Sequence, residues 1–201
     1  MLASISPLGE RARGNRWERT VAWYFAGSVA GGLVIGAVAG SLGAGLDARF
    51  NPTPTLRAGL VIGAAVVALL LELRLRLTGR PLPSNRRQVD ETWITRYRPW
   101  VYAGGFGFQL GLGVVTVVTS ATVYLAIVLA VLSGSVVGGV AVGLAFGTVR
   151  AVPILLVRGA GDPGTLRSVL LRVQSRGVAA QRAALVVLVA VAVVGLAAGT
   201  A

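Results

Sequence analysis

The sequence predicts an all-α, polytopic integral membrane protein of five transmembrane helices, with its N-terminus in the cytoplasm and its C-terminus outside. Three observations carry that expectation. Of 201 residues, 55% are hydrophobic and 13% charged, with a mean hydropathy of +0.77, whereas a soluble domain is about 25% charged. The apolar residues are gathered into five long stretches, and about 20 such residues cross roughly 30 Å of hydrocarbon. Arginine-rich and arginine-poor flanks alternate between the stretches, which is the positive-inside pattern.

Residues 1–20 read as a basic cytoplasmic segment carrying Arg11, Arg13, Arg16 and Arg19, ahead of a transmembrane domain over 21–198. The first span, 21–46, is expected to stay in the membrane, because no short apolar region with a small-residue cleavage site stands near Met1. After it, Arg49 and Arg57 share a short connection with Asp47, and the second span follows at 58–75. The loop 76–99 is densely basic and therefore cytoplasmic. The third stretch, 100–132, is uncharged throughout; as one straight helix it would reach roughly 50 Å, more than one crossing. It is expected to be a single span broken near Gly111, Gly113 and residues 116–122. The fourth and fifth spans are 133–157 and 183–198, separated by a cytoplasmic loop at 158–182. Within that loop, Asp162-Pro-Gly-Thr reads as a turn with Thr165 as a helix N-cap. Leu166, Val169, Leu170 and Val173 then share one face, which suits either a helix lying on the membrane surface or a basic connector that anchors topology.

Composition also narrows the chemistry. There is no cysteine, no histidine and a single methionine, so thiol relays, iron–sulfur clusters, haem ligation by those residues and ordinary zinc or copper sites are not expected. The seven carboxylates form no close metal-binding or hydrolytic cluster. No enzymatic activity, cofactor or metal is expected. The net charge of +12 is carried entirely by arginine as the basic residue, read as codon bias, and its alternation accounts for the excess without a nucleic-acid partner.

Three constellations stand out. Gly32, Gly36 and Gly40 make a stripe in the first span, and Gly139, Gly143 and Gly147 make another in the fourth. Such stripes let two helix backbones approach closely, and their recurrence suggests an internal duplication. Gln109, Thr116 and Ser120 are spaced to share a narrow arc of a continuous helix; they read as the polar face of a pathway, or as interhelical hydrogen-bonding groups. Glu72 and Arg150 are ionisable residues inside spans. They could pair with each other, or Glu72 could pair with Arg76 one turn on while Arg150 snorkels to the headgroups.

The run Tyr102-Ala-Gly-Gly-Phe-Gly-Phe-Gln-Leu-Gly-Leu-Gly, then Ser133-Gly-Ser, then Gly143-Leu-Ala-Phe-Gly-Thr-Val-Arg-Ala-Val-Pro-Ile-Leu-Leu-Val157, resembles the second half of the cytochrome c biogenesis and thiol-disulfide transmembrane proteins of the CcdA and DsbD type. The resemblance implies six helices in two inverted three-helix repeats that pass electrons from cytoplasmic thioredoxin to extracytoplasmic thiols. It matches the five spans here to the family's second to sixth helices and puts the paired glycine stripes in equivalent helices. It also implies a degenerate inverted repeat: the family's first helix has no counterpart, Ser6-Pro7-Leu8-Gly9 being at most its tail or the loop beyond. Both reactive cysteines are missing, one of them from the segment around Leu112 to Thr116. No catalytic residue carries over.

The functional expectation is a small-solute transporter or channel-like element of the bacterial inner membrane, with Gln109, Thr116 and Ser120 as its polar face. The alternative is a non-catalytic membrane subunit or scaffold that assists a cysteine-bearing partner. The expected partners are membrane lipid and a further membrane protein.

Overall fold

The computed structural model describes residues 5–79, 92–115 and 120–200, all of whose regular structure is helical. In chain order the helices are α1 (Pro7–Ala12), α2 (Trp17–Phe50), α3 (Pro54–Thr78), α4 (Trp93–Arg96), α5 (Pro99–Leu112), α6 (Thr122–Leu132), α7 (Val136–Ala151) with a 3-10 continuation (Val152–Val157), α8 (Pro163–Ser175) and α9 (Gly177–Thr200). Among the described residues, α2, α3 and α7 with its continuation are long and apolar enough to cross a membrane, and α6 and Arg182–Val191 are shorter apolar helices.

Local chemistry sets the helix ends. Asn51 takes the left-handed conformation that terminates α2, and its N–H closes on the Asp47 carbonyl. Two residues later the Thr53 hydroxyl accepts from Leu56 N and Pro54 starts α3, where a missing N–H costs nothing. An ion pair between Asp47 and Arg57 ties this turn together. Gly134 sits against it with φ +63, where any β-carbon would collide with the Asp47 carboxylate. Ser135 then caps α7 by accepting from Gly138 N at 3.0 Å. At the far end Pro153 lacks the N–H an α-helix would use, and the chain tightens into 3-10 turns.

α2 is the axis of the bundle. On one face its Gly27 and Gly31 meet Gly104 and the Phe108–Gly111 backbone of α5, so α2 and α5 run parallel. On another, Gly32, Gly36 and Gly40 meet Gly143 to Gly147, Gly139 to Gly143, and Ser135 to Gly139, so α7 runs antiparallel. Farther along, Gly43 abuts Val131 of α6. α6 thus continues the direction of α5 along α2, as one broken element.

Part of the described segment ahead of α2 packs into the bundle. Ile5, Ser6 and Glu10 are buried, with Ile5 in a cluster that includes Tyr102, Phe106 and Ile154. The Ser6 hydroxyl caps α1. The Glu10 carboxylate receives the Tyr102 hydroxyl on both oxygens at 2.8 and 2.7 Å, the Thr20 hydroxyl at 2.8 Å, and the Arg13 guanidinium. Burial lowers the basicity of Arg13, but its hydrogen bond to Glu10 and that carboxylate's charge prevail and hold it above the ordinary arginine value. Glu10→Ala would take the shared acceptor from the buried Tyr102 and Thr20 hydroxyls of α5 and α2, so we expect it to lower stability by about 2 kcal/mol, and Tyr102→Phe by less. Thermal unfolding in detergent checks this, and equal stability of Glu10→Ala and the parent would contradict it.

One local difference from the sequence reading concerns α8. Its N-cap is Asp162, not Thr165: the Asp162 carboxylate accepts from Thr165 N at 2.9 Å, and Pro163 occupies the first helical position. A carboxylate three residues upstream outcompetes a hydroxyl for the free amides of a first turn. The Thr165 hydroxyl and amide in turn hold the Asp162 carboxyl below the usual carboxylate range. Of the four apolar residues on the expected face, Leu166, Val169, Leu170 and Val173, all are half-buried, whereas Arg167, Leu171 and Arg172 are exposed.

Candidate functional site

The uncharged third stretch does not make one helix. α5 ends at Leu112, because Gly113 adopts φ +75 and its N–H bonds the Leu110 carbonyl three residues back. Glycine is required there by conformation and also by space: a β-carbon would stand 2.9 Å from the Phe146 ring. α6 begins at Thr122, after Ser120 and Ala121. A helix break inside a membrane bundle leaves backbone amides without helical partners, and these must be satisfied by other groups.

One of those groups is Glu72. It lies fifteen residues past Arg57 on α3, about 22 Å along the helix, and is completely buried. Its Oε2 accepts from the Ala121 amide at 2.9 Å and from the Ser120 hydroxyl at 3.2 Å. Ser120 Oγ also lies 3.0 Å from Thr122 Oγ1 and accepts from Thr122 N at 3.3 Å. A carboxylate of α3 therefore caps the first turn of α6 across the bundle, and the negative charge sits favourably at a helix N-terminus.

The other carboxylate oxygen, Oε1, is buried and has no hydrogen-bond partner. Arg76, one turn farther along α3, keeps Nε and Nη2 buried and unpartnered, and the Tyr124 hydroxyl of α6 is in the same condition. Tyr124 packs in the apolar cluster that joins α3 to α6 and α9 around Ala65, Ala68 and Leu188. Buried polar atoms in native proteins nearly always find partners, and an orphan in a low-dielectric interior is costly. Here an acceptor, a cation and a hydroxyl are left unsatisfied on α3 and α6. Such a set can take up a proton, a small cation, or a small solute bearing both donors and acceptors.

The residues singled out from the sequence distribute as follows. Ser120 is brought to Glu72, a contact not anticipated. Gln109 belongs to α5, on the other side of the Gly113 turn, so the seven- and eleven-residue spacing computed for a continuous helix does not place it and Ser120 on one stripe. Thr116 lies outside the described residues. Glu72 and Arg150 are not paired: Glu72 turns to the α6 amides, while the Arg150 guanidinium lies over the Phe146 ring, 5.3 Å from its centre. An aromatic ring one turn back on its own helix supplies a cation–π partner. The two glycine stripes face each other. A β-carbon on Gly32 would strike the Gly143 carbonyl and approach Gly147 Cα to 3.0 Å; on Gly36 it would strike the Gly139 carbonyl and approach Gly143 Cα to 2.9 Å. The reading missed the second seam, formed by Gly27 and Gly31 with Gly104, Gly107 and Gly111. Its signal was present, since Gly27–Gly31 and Gly107–Gly111 have the same four-residue spacing. Ser28 lies between the seams and donates to the Gly147 carbonyl at 2.7 Å.

Comparison with known proteins places the chain in a transmembrane family. Residues 2–197 match the family model described as the cytochrome C biogenesis protein transmembrane region. The chain is 35% identical over 158 residues to the methylamine utilization protein MauF of Paracoccus versutus, covering 76% of this chain and 56% of that protein. It is 34% identical over 158 residues to MauF of Paracoccus denitrificans, covering 76% and 55%, and 31% identical over 156 residues to MauF of Methylophilus methylotrophus, covering 76% and 53%. The chain thus spans about half the length of the curated relatives it matches. No solved structure matches it.

Proposed function

This chain belongs to the family of cytochrome c biogenesis protein transmembrane regions, and from that premise we propose that it is a non-enzymatic, inner-membrane transport element for a small polar solute or cation. The observation that carries the reading is the buried Glu72 carboxylate at the α5–α6 break, with one oxygen holding the break and the other unpartnered. Discontinuous helices in membrane transporters put their free backbone groups and inward-facing ionisable residues at the binding site. The chain has no cysteine, so the thiol chemistry that the resemblance implies has no residue here to perform it. The test uses the purified chain alone in sealed vesicles: uptake of small ammonium ions, amino acids or protons above empty-vesicle rates supports the reading. Rates equal to those of empty vesicles for all three classes would overturn it.

A five-span topology with the N-terminus inside is part of the same proposal. It is supported by the antiparallel order of α2, α3 and α7, and by the parallel course of α5–α6. The beginnings of α2 and α5 and the end of α7 also share one end of the bundle. Arg16, Arg19, Arg98 and Arg158 flank that end in sequence, and Trp17, Trp23, Trp93 and Trp100 belong to it, with Trp23 and Trp100 in contact. Aromatic residues favour the membrane interface, and arginines its cytoplasmic side. A periplasm-dependent reporter fused after Ala201 is expected to be active, and a cytoplasm-dependent one silent; the reverse would contradict the five-span arrangement.

A second reading has its own support. The relatives' names place them in methylamine utilization, and a family member without cysteines suits an accessory subunit that holds a cysteine-bearing protein in the membrane. Isolation from native membranes in mild detergent separates the two: a stoichiometric membrane partner favours the subunit, and an active chain without one favours transport.

A further inference from the structure

α8 is split by polarity, and one side of it faces an open groove of about 540 Å³ whose other wall is Leu8 of α1. The floor is made by Leu166, Leu170, Leu171 and Val173, and Arg167 is the charged residue among the walls described. Leu171 is 56% exposed, far more than a leucine at this position gains from water. The ionic side chains along α8 are all arginines: Arg167 and Arg172 on the helix and Arg176 at its end. The acids nearest in sequence are already engaged, Asp162 in capping the helix and Glu10 in its buried network with Arg13. The groove therefore offers an apolar trough beside uncompensated positive charge, at the end of the bundle that carries Trp17, Trp93 and the arginine-rich flanks.

We propose that the α1–α8 groove is a binding site for an anionic phospholipid, with an acyl chain along Leu166, Leu170, Leu171 and Val173 and the phosphate held by Arg167, the charged residue of its walls. A phospholipid has the same order of charge and hydrocarbon as the groove, whereas a neutral peptide or a second copy of this basic surface would leave the arginines unmatched or opposed. Guanidinium groups bind phosphate in bidentate fashion. Anionic headgroups attract each basic residue near the membrane surface by an amount equivalent to roughly five-fold in affinity. This site is independent of the transport reading and stands or falls separately from it.

The test exploits the absence of native cysteine. The full chain carrying Leu171→Cys is labelled with a small fluorophore and placed in phosphatidylcholine vesicles doped with brominated phosphatidylglycerol or brominated phosphatidylcholine as quenchers. Quenching at L171C is expected at a several-fold lower mole fraction of the anionic lipid. A label at Val67→Cys, on the exposed apolar surface of α3, is expected to show no such preference. Arg167→Gln is expected to abolish the preference at L171C while circular dichroism and the unfolding temperature stay unchanged, and Arg172→Gln, on the side of α8 away from the groove, is expected to keep it. Equal quenching by the two lipids at L171C, or an undiminished preference in Arg167→Gln, would overturn the proposal. So would absence of quenching with label-to-label contact between copies, which would mark the groove as a dimer surface. A second label at Leu8→Cys, on the opposite wall, must give the same preference, or the groove is not one site.

Discussion

Gly36→Ala is expected to destabilise the protein by about 2 kcal/mol or more, while Gly45→Ala, on the same helix, is expected to leave it unchanged or slightly more stable. The two positions are matched in residue type and in host helix, and differ in what stands opposite. At Gly36 a β-carbon would run into the Gly139 carbonyl and lie 2.9 Å from Gly143 Cα. Both obstacles are backbone, which cannot rotate aside as a side chain can, so the only relief is separation of α2 from α7. That separation would also open the contacts above and below it, Gly32 with Gly143 and Gly40 with Ser135. In lipid there is no hydrophobic drive to pull the helices back, because the surrounding chains are as apolar as the interface. At Gly45 nothing lies within 4 Å, and alanine gains close to 1 kcal/mol of helix propensity over glycine. Thermal unfolding of the two variants in the same detergent decides it. Equal losses would mean that the seam is not a tight contact.

The second large effect is expected at Glu72, where two substitutions separate function from folding. Glu72→Gln keeps an oxygen to accept from the Ala121 amide and the Ser120 hydroxyl, so α6 stays capped, but removes the charge and replaces the free oxygen with a donor. Uptake in vesicles is expected to fall at least ten-fold, about 1.4 kcal/mol, with stability near that of the parent. Glu72→Ala removes the acceptor as well. It leaves the buried Ala121 amide unpaired and is expected to cost a further 1–3 kcal/mol or so of stability. Full uptake in Glu72→Gln would remove Glu72 from the site. A loss of uptake that only tracked the loss of stability would make the carboxylate a structural cap and nothing more.

How much of this was legible beforehand depends on the range of the interaction. The all-helical membrane class follows from composition alone, and the interruption of the third stretch from a glycine-rich run too long for one crossing, because both are local properties. Four-residue glycine spacing marks a face of a helix, but it does not say which helix lies opposite. That Gly32 to Gly40 meet Gly139 to Gly147, and that Gly27 and Gly31 meet α5, required the folded chain. The polar stripe of Gln109, Thr116 and Ser120 rested on continuing helical arithmetic through Gly113, where a positive φ resets the phase. Glu10 stands among arginines in a segment legible only as basic and cytoplasmic, and its decisive partner Tyr102 is 92 residues away. Glu72 and Arg150 are legible as ionisable groups within apolar stretches, but charge alone leaves open whether they pair with each other or with Arg76 and the headgroups. The partners they take are amides freed by a helix break and an aromatic ring one turn away, neither of which carries a charge to be read.

On the reading proposed above, the α5–α6 break beside Glu72 is a hydrated working site and not a sealed kink. The most direct measurement is the reactivity of single cysteines introduced into this cysteine-free chain toward a water-soluble thiol reagent, since a thiol must ionise to react and a dry environment suppresses the thiolate. Ser120→Cys is expected to react in the folded protein, whereas Ala130→Cys, in the buried part of α6, and Val128→Cys, on its exposed apolar surface, are expected to resist. A folded Ser120→Cys variant as inert as Ala130→Cys would show the break to be closed to water and would contradict the claim.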